Sequence, residues 1–298
     1  MKIMYLNANA FLGTQSKKEI LKENSKCIWK VREEIKENRI KTYAIELAEK
    51  IFHKDTNLDV DMIFLSEIDP KSQATEDFRK KINKEYEVLL PYGNDLQKIV
   101  GYSSTVCLQK KRADYTNANN GFTYEGREID KDLTQICKVV NNYSNGIVLI
   151  AFHDSTEFNR KWEMILSLIR LISKDERVIV FGDTNANPDV DLGSIQNVEN
   201  SRKQRKIEAY MNNCIFEKLM NDLELHEIKP ELINGKLPKT FGDETYGTRI
   251  DRVFTNIQKE EAFISVEVDR TFNEKNLSDH AALLITITNH EDENNSSC

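Results

Sequence analysis

Short apolar runs alternate along this chain with longer, charge-rich stretches whose apolar residues recur every three or four positions. The runs are Ile3-Met4-Tyr5-Leu6, Met62-Ile63-Phe64-Leu65, Ser104 to Leu108, Ile147 to Phe152, Val178 to Phe181, Ile250 to Phe254 and Ala281 to Ile287. Their shortness and β-branched content predict strands, several of them buried on both faces. Between them, residues 18 to 53 place Ile28, Val31, Ile35, Tyr43, Leu47 and Ile51 at helical spacing among many charges. That pattern predicts one or two amphipathic helices. Residues 157 to 173, with Trp162, Ile165, Leu168, Ile169 and Ile172, predict another, and so do residues 204 to 222, with Ile207, Tyr210, Met211, Cys214 and Leu219. The block from 110 to 145 is polar and turn-rich, an excursion of hairpins or loops. Strands and helices run through the whole sequence with no Pro- or Ser-rich linker and no internal repeat. The expectation is one α/β domain over residues 1–290 and a polar, fraying tail at 291–298.

With 298 residues, 39% hydrophobic and 31% charged, the chain has the makings of a soluble protein with a sizeable core. Its net charge of -7 argues against a protein that simply coats nucleic acid. It leaves room for an enzyme that holds a phosphate through a metal ion, because a cation offsets a local acidic site. No apolar run is long enough to cross a bilayer. The opening MKIMYLNANAF has too short an apolar part for a signal sequence, and Asn7 and Asn9 interrupt it, so a cytoplasmic protein is expected. Cys27, Cys107, Cys137, Cys214 and Cys298 are scattered, odd in number and without CxxC spacing, which fits reduced thiols.

The chemistry lies at the ends of the runs. Asn7 follows MYL, Glu67 follows IFLS, His153 follows LIAF, and Asp183 and Asn185 follow VIVFG. Asp251 sits within TRIDRVF, and Asp279 and His280 stand just before AALLIT. In a mixed sheet, residues after some strands and before others share one edge. So many carboxylates at one rim would repel one another without a cation among them. A hard divalent ion with oxygen ligands, magnesium or manganese, is the natural candidate, and thiolates for a zinc site are absent. Each residue also has an ordinary reading. Gly-Asp after a strand is commonly a turn, Asn185 could cap a helix, His153 could be a satisfied core histidine, and Asp251-Arg252 could be an exposed ion pair worth little.

In their order, the stretches YLNANAF, DMIFLSEID, VLIAFHDS, VIVFGDTNANPD, KTFGDETYGTRIDRVFTN and NLSDHAALLITI resemble the endonuclease/exonuclease/phosphatase superfamily, which includes deoxyribonuclease I. They span residues 1 to 288. The resemblance implies an α/β four-layer sandwich, two packed mixed β-sheets flanked by helices, with the site at one end. It implies Glu67 as the principal metal ligand, helped by Asn7, and Asp279 as a ligand for a second metal. It implies His153 on the scissile phosphate, Asp183 orienting or activating water, Asn185 holding a phosphate oxygen and Asp251 in support. His280 would be the base or a transition-state stabiliser, and the choice between Asp183 and His280 stays open. There are departures. Asn9 stands where many relatives have aspartate, making it a neutral member of the substrate site. The stretch GYSSTVCLQKK has no acid to partner His153. Arg127 matches a phosphate-contacting arginine only loosely, with a surface salt bridge as the other reading.

The implied activity is metal-dependent hydrolysis of a phosphate ester by a monomer. A nuclease acting on DNA or RNA is the first reading, since GDTNANPD resembles the nuclease form of the motif. The basic run Arg202, Lys203, Arg205 and Lys206 could reach a nucleic-acid backbone or form a solvated helix face. A phosphatase or phospholipase acting on inositol phosphates or lipid headgroups is the second reading. A non-catalytic binding protein on the same fold is the third.

Overall fold

The computed structural model describes residues 1–14, 41–52, 58–68, 72–90, 104–111, 115–117, 123–124, 127–128, 136–141, 147–153, 176–189, 200–242 and 247–289. In chain order the strands are β1 (Lys2–Asn7), β2 (Met62–Ile68), β3 (Tyr86–Leu90), β4 (Ser104–Lys110), β5 (Tyr115–Asn117), β6 (Thr123–Tyr124) and β7 (Arg127–Glu128). They continue with β8 (Ile136–Asn141), β9 (Ile147–His153), β10 (Arg177–Asp183), β11 (His226–Glu227), β12 (Asp251–Thr255), β13 (Ala262–Asp269) and β14 (Ala282–Asn289). The helices are α1 (Ala44–Phe52), α2 (Gln73–Ile82), α3 (Asn200–Asp222) and the short α4 (Thr271–Glu274). Six strands form a sheet in the order β13-β14-β1-β2-β4-β3 and six another in the order β11-β12-β10-β9-β8-β5, while β6 and β7 make a two-stranded ribbon. Both large sheets are mixed. β1 pairs parallel with β2 and β2 antiparallel with β4. β9 pairs parallel with β10 and β10 antiparallel with β12.

All seven apolar runs are strands, within three residues at their ends. The helix expected over 204 to 222 is α3, and the helical stretch at 18 to 53 contains α1. Residues 15–40, the stretch 157 to 173 and the tail lie outside the described residues. The excursion from 110 to 145 holds the β6–β7 hairpin pair and also strands β5 and β8.

The chain divides into two compact units. The first comprises Met1–Ala113, Asn119–Gln135 and Asp269–Leu284, and the second Asp114–Ala118, Ile136–Val268 and Ile285–Cys298. In the first unit, alternation along the strands sends Met4 and Leu6, Ile63 and Leu65, and Val106 and Leu108 into one core. Leu47 and Ile51 of α1, and Phe78 and Ile82 of α2, spaced one helical turn apart, close over it. Helix α2 starts at Ser72, whose hydroxyl accepts the Thr75 amide at 3.1 Å. Phe78 stacks on Phe11 with centroids 5.2 Å apart, which carries the helix onto the turn after β1. In the second unit, Phe216 of α3 meets Phe254 edge-on at 5.2 Å, seating the helix against β12.

Candidate active site

In the first unit the parallel register of β1 and β2 sets Asn7 beside Ser66, so both strands end at the same edge. Between Leu65 and Ile68, β2 takes three steps while β4 takes two, from Val106 to Ser104 (68 − 65 against 106 − 104). The extra residue is a β-bulge, a device that redirects a side chain. Glu67 lies in it with φ 51°, a left-handed conformation that a glutamate adopts at a cost. Ser66 is fixed by a 2.7 Å bond between its hydroxyl and that of Tyr5. Beyond Asn7 the chain makes a tight turn in which Asn9, Ala10 and Phe11 all have positive φ. Asn7 Oδ1 accepts the Asn9 amide at 3.0 Å, and the Asn9 side-chain amide donates to the Gly13 carbonyl at 2.8 Å. Asn9 is buried, and its side chain closes this turn.

Ser278 brings in the last motif. Its hydroxyl donates to the Asn7 carbonyl at 2.5 Å and accepts the His280 amide at 3.0 Å. The Asp279-His280 pair is thereby held to the end of β1. His280 is buried, and its Nε2 stands 4.0 Å from Asp279 Oδ1, too long for a hydrogen bond. Asn7, Asn9, Glu67, Asp279 and His280 are therefore all placed by the first unit. The oxygens of Asn7, Glu67 and Asp279 are the hard donor set that suits a divalent cation.

In the second unit, register alone aligns three candidates. Asp183 lies opposite His153 on β9 and opposite Asp251 on β12, one row across three strands. His153 Nε2 approaches Asp183 Oδ2 to 3.7 Å, so the acid that faces His153 in this unit is Asp183. The other oxygen, Asp183 Oδ1, accepts the Asn185 amide at 2.9 Å. That bond is an Asx turn, and it folds Asn185 back into the left-handed region at φ 47°. No helix follows for Asn185 to cap through Asp189. Two buried carboxylates opposite one another, Asp183 and Asp251, call for positive charge nearby.

Gly182 makes the row possible. Its φ is 149°, and a Cβ there would stand 1.8 Å from the Phe152 carbonyl oxygen. Thr240 holds the other flank, its hydroxyl accepting the amides of Ile250 at 3.1 Å and Asp251 at 2.9 Å. Thr184 also bonds the Ile250 carbonyl, at 2.8 Å through both its amide and its hydroxyl.

Arg252 is not an exposed partner of Asp251. It is buried and reaches Glu227 through two bonds of 3.0 and 2.8 Å, Glu217 at 3.1 Å and Asn213 at 3.1 Å. Its guanidinium also lies over Phe254 at 4.9 Å and Phe216 at 5.4 Å. Arg249 joins through a second contact to Glu227. Burial pushes the Glu227 carboxyl up, but the hydrogen bond and charge of Arg252, with those of Arg249, outweigh it and hold Glu227 below the usual carboxylate range. Arg127 falls on β7 and the basic run Arg202 to Lys206 on the first turns of α3, but these side chains lie outside the described residues. Gly182, Ser278, Thr240 and the Arg252–Glu227 network were not singled out as site supports from the sequence, although Ser278 lies in NLSDHAALLITI and Thr240 in KTFGDETYGTRIDRVFTN.

Comparison with solved structures places this architecture. An AP endonuclease from Leishmania major matches at TM-score 0.55 and 15% identity, over 97% of this chain and 87% of that one. The fold is that of the endonuclease/exonuclease/phosphatase proteins. A protein of that description from Bacteroides vulgatus matches at TM-score 0.55 and 14% identity over 97% and 98% of the two chains. A 3′-5′ exonuclease from Neisseria meningitidis matches at 0.53 and 12% over 97% and 100%. By sequence, no family model and no curated protein matches the chain. The endonuclease/exonuclease/phosphatase fold agrees with the expected class, α/β with two mixed sheets and helices. Among the described residues no helix is long and apolar enough to cross a membrane.

Proposed function

We propose that the protein is a divalent-metal-dependent phosphodiester hydrolase acting on nucleic acid, with its six motifs working as one catalytic domain. The observation that carries this reading is the in-register row of His153, Asp183 and Asp251, with Asn185 turned back onto Asp183. The backbone supports it too, since Glu67, Asn185 and Asn9, three of the candidate residues, all have positive φ. Strain of this kind collects at functional sites.

Glu67 and Asn7, with Asp279, would hold magnesium or manganese. Bound there, the ion would neutralise charge growing on the phosphate and the leaving oxygen. His153 and Asn185 donate hydrogen bonds to the non-bridging oxygens, whose charge rises in the transition state. Asp183 orients the attacking water, and the water proton passes to Asp183 or His280. Asp251 would support the site from the neighbouring strand. Asn9 serves mainly to shape the turn after Asn7, and Arg127 is a candidate phosphate contact. The similar structures include an AP endonuclease and a 3′-5′ exonuclease, which favours a nucleic-acid substrate over a lipid headgroup or inositol phosphate.

The test is hydrolysis of plasmid DNA, single-stranded RNA, an abasic duplex and inositol phosphates, with magnesium, with manganese and with EDTA. Cleavage of a nucleic acid is expected with either metal and not with EDTA. Glu67→Ala and Asp183→Asn should each lower the rate by about 10²-fold or more. Variants equal to the parent would refute the assignment.

A further inference from the structure

The sheet edge that bears Asp251 also carries an exposed apolar prong. β11 runs antiparallel to β12, with Glu227 opposite Phe254 and the Ile228 amide on the Val253 carbonyl at 2.9 Å. Leaving β11, the chain therefore heads toward the Asp251 end of β12. Past Ile228 the Glu231 amide donates to the Val266 carbonyl of β13 at 3.2 Å, and the chain then turns back through a two-residue hairpin. Ile233 and Lys236 exchange backbone bonds of 2.9 and 3.1 Å, and Asn234 and Gly235 have φ of 53° and 75°, the Asn-Gly pattern of a tight hairpin. Leu232 and Ile233, at 62% and 50% exposure, stand on it. The turn itself needs only Asn234 and Gly235, so local folding does not account for two adjacent aliphatic residues in water.

The base of the prong is buried and bonded to the segments that carry Asp183 and Asp251. Pro230 and Pro238 are buried on either side. Lys239 Nζ holds Asp189 Oδ2 at 2.6 Å, six residues along the chain from Asp183. Thr240 accepts the Asp251 amide. In a chain of net charge -7, the segment from 229 to 239 carries Lys229, Lys236 and Lys239 against Glu231 alone. Lys229 and Lys236 are exposed.

We infer that this hairpin is the docking prong for the nucleic-acid strand that flanks the scissile phosphate. Leu232 and Ile233 lie against base or sugar faces in a groove, as apolar wedges do. Lys229 and Lys236 lie against neighbouring phosphates. The inference rests on the nuclease reading above and adds to it where the substrate is gripped outside the reacting centre.

The experiment uses the full chain and two double variants, Leu232→Ser with Ile233→Ser and Lys229→Gln with Lys236→Gln. Affinity for a labelled duplex oligonucleotide and for its single strand is read by anisotropy in EDTA across a salt series. Hydrolysis of bis(p-nitrophenyl) phosphate, too small to reach the hairpin, is read with magnesium. Each double variant should weaken oligonucleotide binding about tenfold and leave hydrolysis of the small diester unchanged. The lysine variant should also lower the log–log salt slope by about 2, one counterion for each lost phosphate contact. Unchanged affinity in both variants, with a parent that binds and cleaves nucleic acid, overturns the prong and leaves the nuclease reading standing. A parent that neither binds nor cleaves nucleic acid overturns both. Serine substitution that abolishes co-sedimentation with phosphatidylserine vesicles but spares oligonucleotide affinity assigns the prong to a lipid surface and overturns the inference.

Discussion

Replacing Glu227 with glutamine tests how the row under Asp251 is held. The change keeps the shape and removes one negative charge. In the parent, Glu227 holds both Arg252 and Arg249, which are buried, and Glu217 holds Arg252. In the variant, Arg252 keeps Glu217, whose side chain is 47% exposed, while Arg249 loses the charge of Glu227. Removing one partner of a buried pair costs about 3–5 kcal/mol, and Glu217 still offsets part of that, so a loss of about 3 kcal/mol is expected. The pair of Glu76 and Arg79 gives the contrast. Its two bonds, 2.8 and 2.9 Å, are as short, but its side chains are about 40% exposed. Arg79→Ala should cost under about 1 kcal/mol. The difference between the two is burial, and the assay is urea unfolding followed by circular dichroism, read as a shift in midpoint at constant slope. Acid adds an independent readout. Because folding holds Glu227 below its ordinary value, the unfolded chain binds more protons as pH falls. The stabilisation is complete above the ordinary carboxylate range and is lost as pH falls through the depressed value. The glutamine variant should lack that part of the acid limb. Equal midpoints for parent and variant at neutral pH, with superimposable acid limbs, would refute the network as a support.

Gly182→Ala sets a Cβ against the Phe152 carbonyl between β9 and β10; a loss of about 3 kcal/mol or more is expected in thermal or urea unfolding, and a variant as stable as the parent would show that the strands can part there. Thr240→Val keeps the shape and removes the acceptor for two buried amides; it should cost about 1–3 kcal/mol and lower kcat, and an unchanged kcat in a destabilised variant would show that Asp251 does not depend on it.

What was legible in the sequence follows from burial. β1, β2, β9 and β10 read as unbroken apolar runs because both faces are covered. β13 was missed because its burial is intermittent and its sequence AFISVEVD mixes acids with apolar residues. Helix α2, QATEDFRKKI, was missed because a few buried positions suffice on a short, highly charged helix. Of the candidate site, the strand-end positions were legible, but register is what puts Asp183 beside both His153 and Asp251, and register is not written in any one strand. The Arg252 reading was avoidable. Successive residues of a strand point to opposite faces, so Asp251 and Arg252 could not have paired side by side. Glu67 gave no local warning of its conformation, since glutamate has no leaning toward positive φ.

The bulge at Glu67 sets two selective demands against each other. Backbone preference at that position favours glycine, which would relieve about 1–2 kcal/mol, whereas the proposed chemistry needs a carboxylate. A library sorted only for thermal resilience should drift toward glycine at 67, and one sorted for turnover should keep glutamate and recover robustness at other sites.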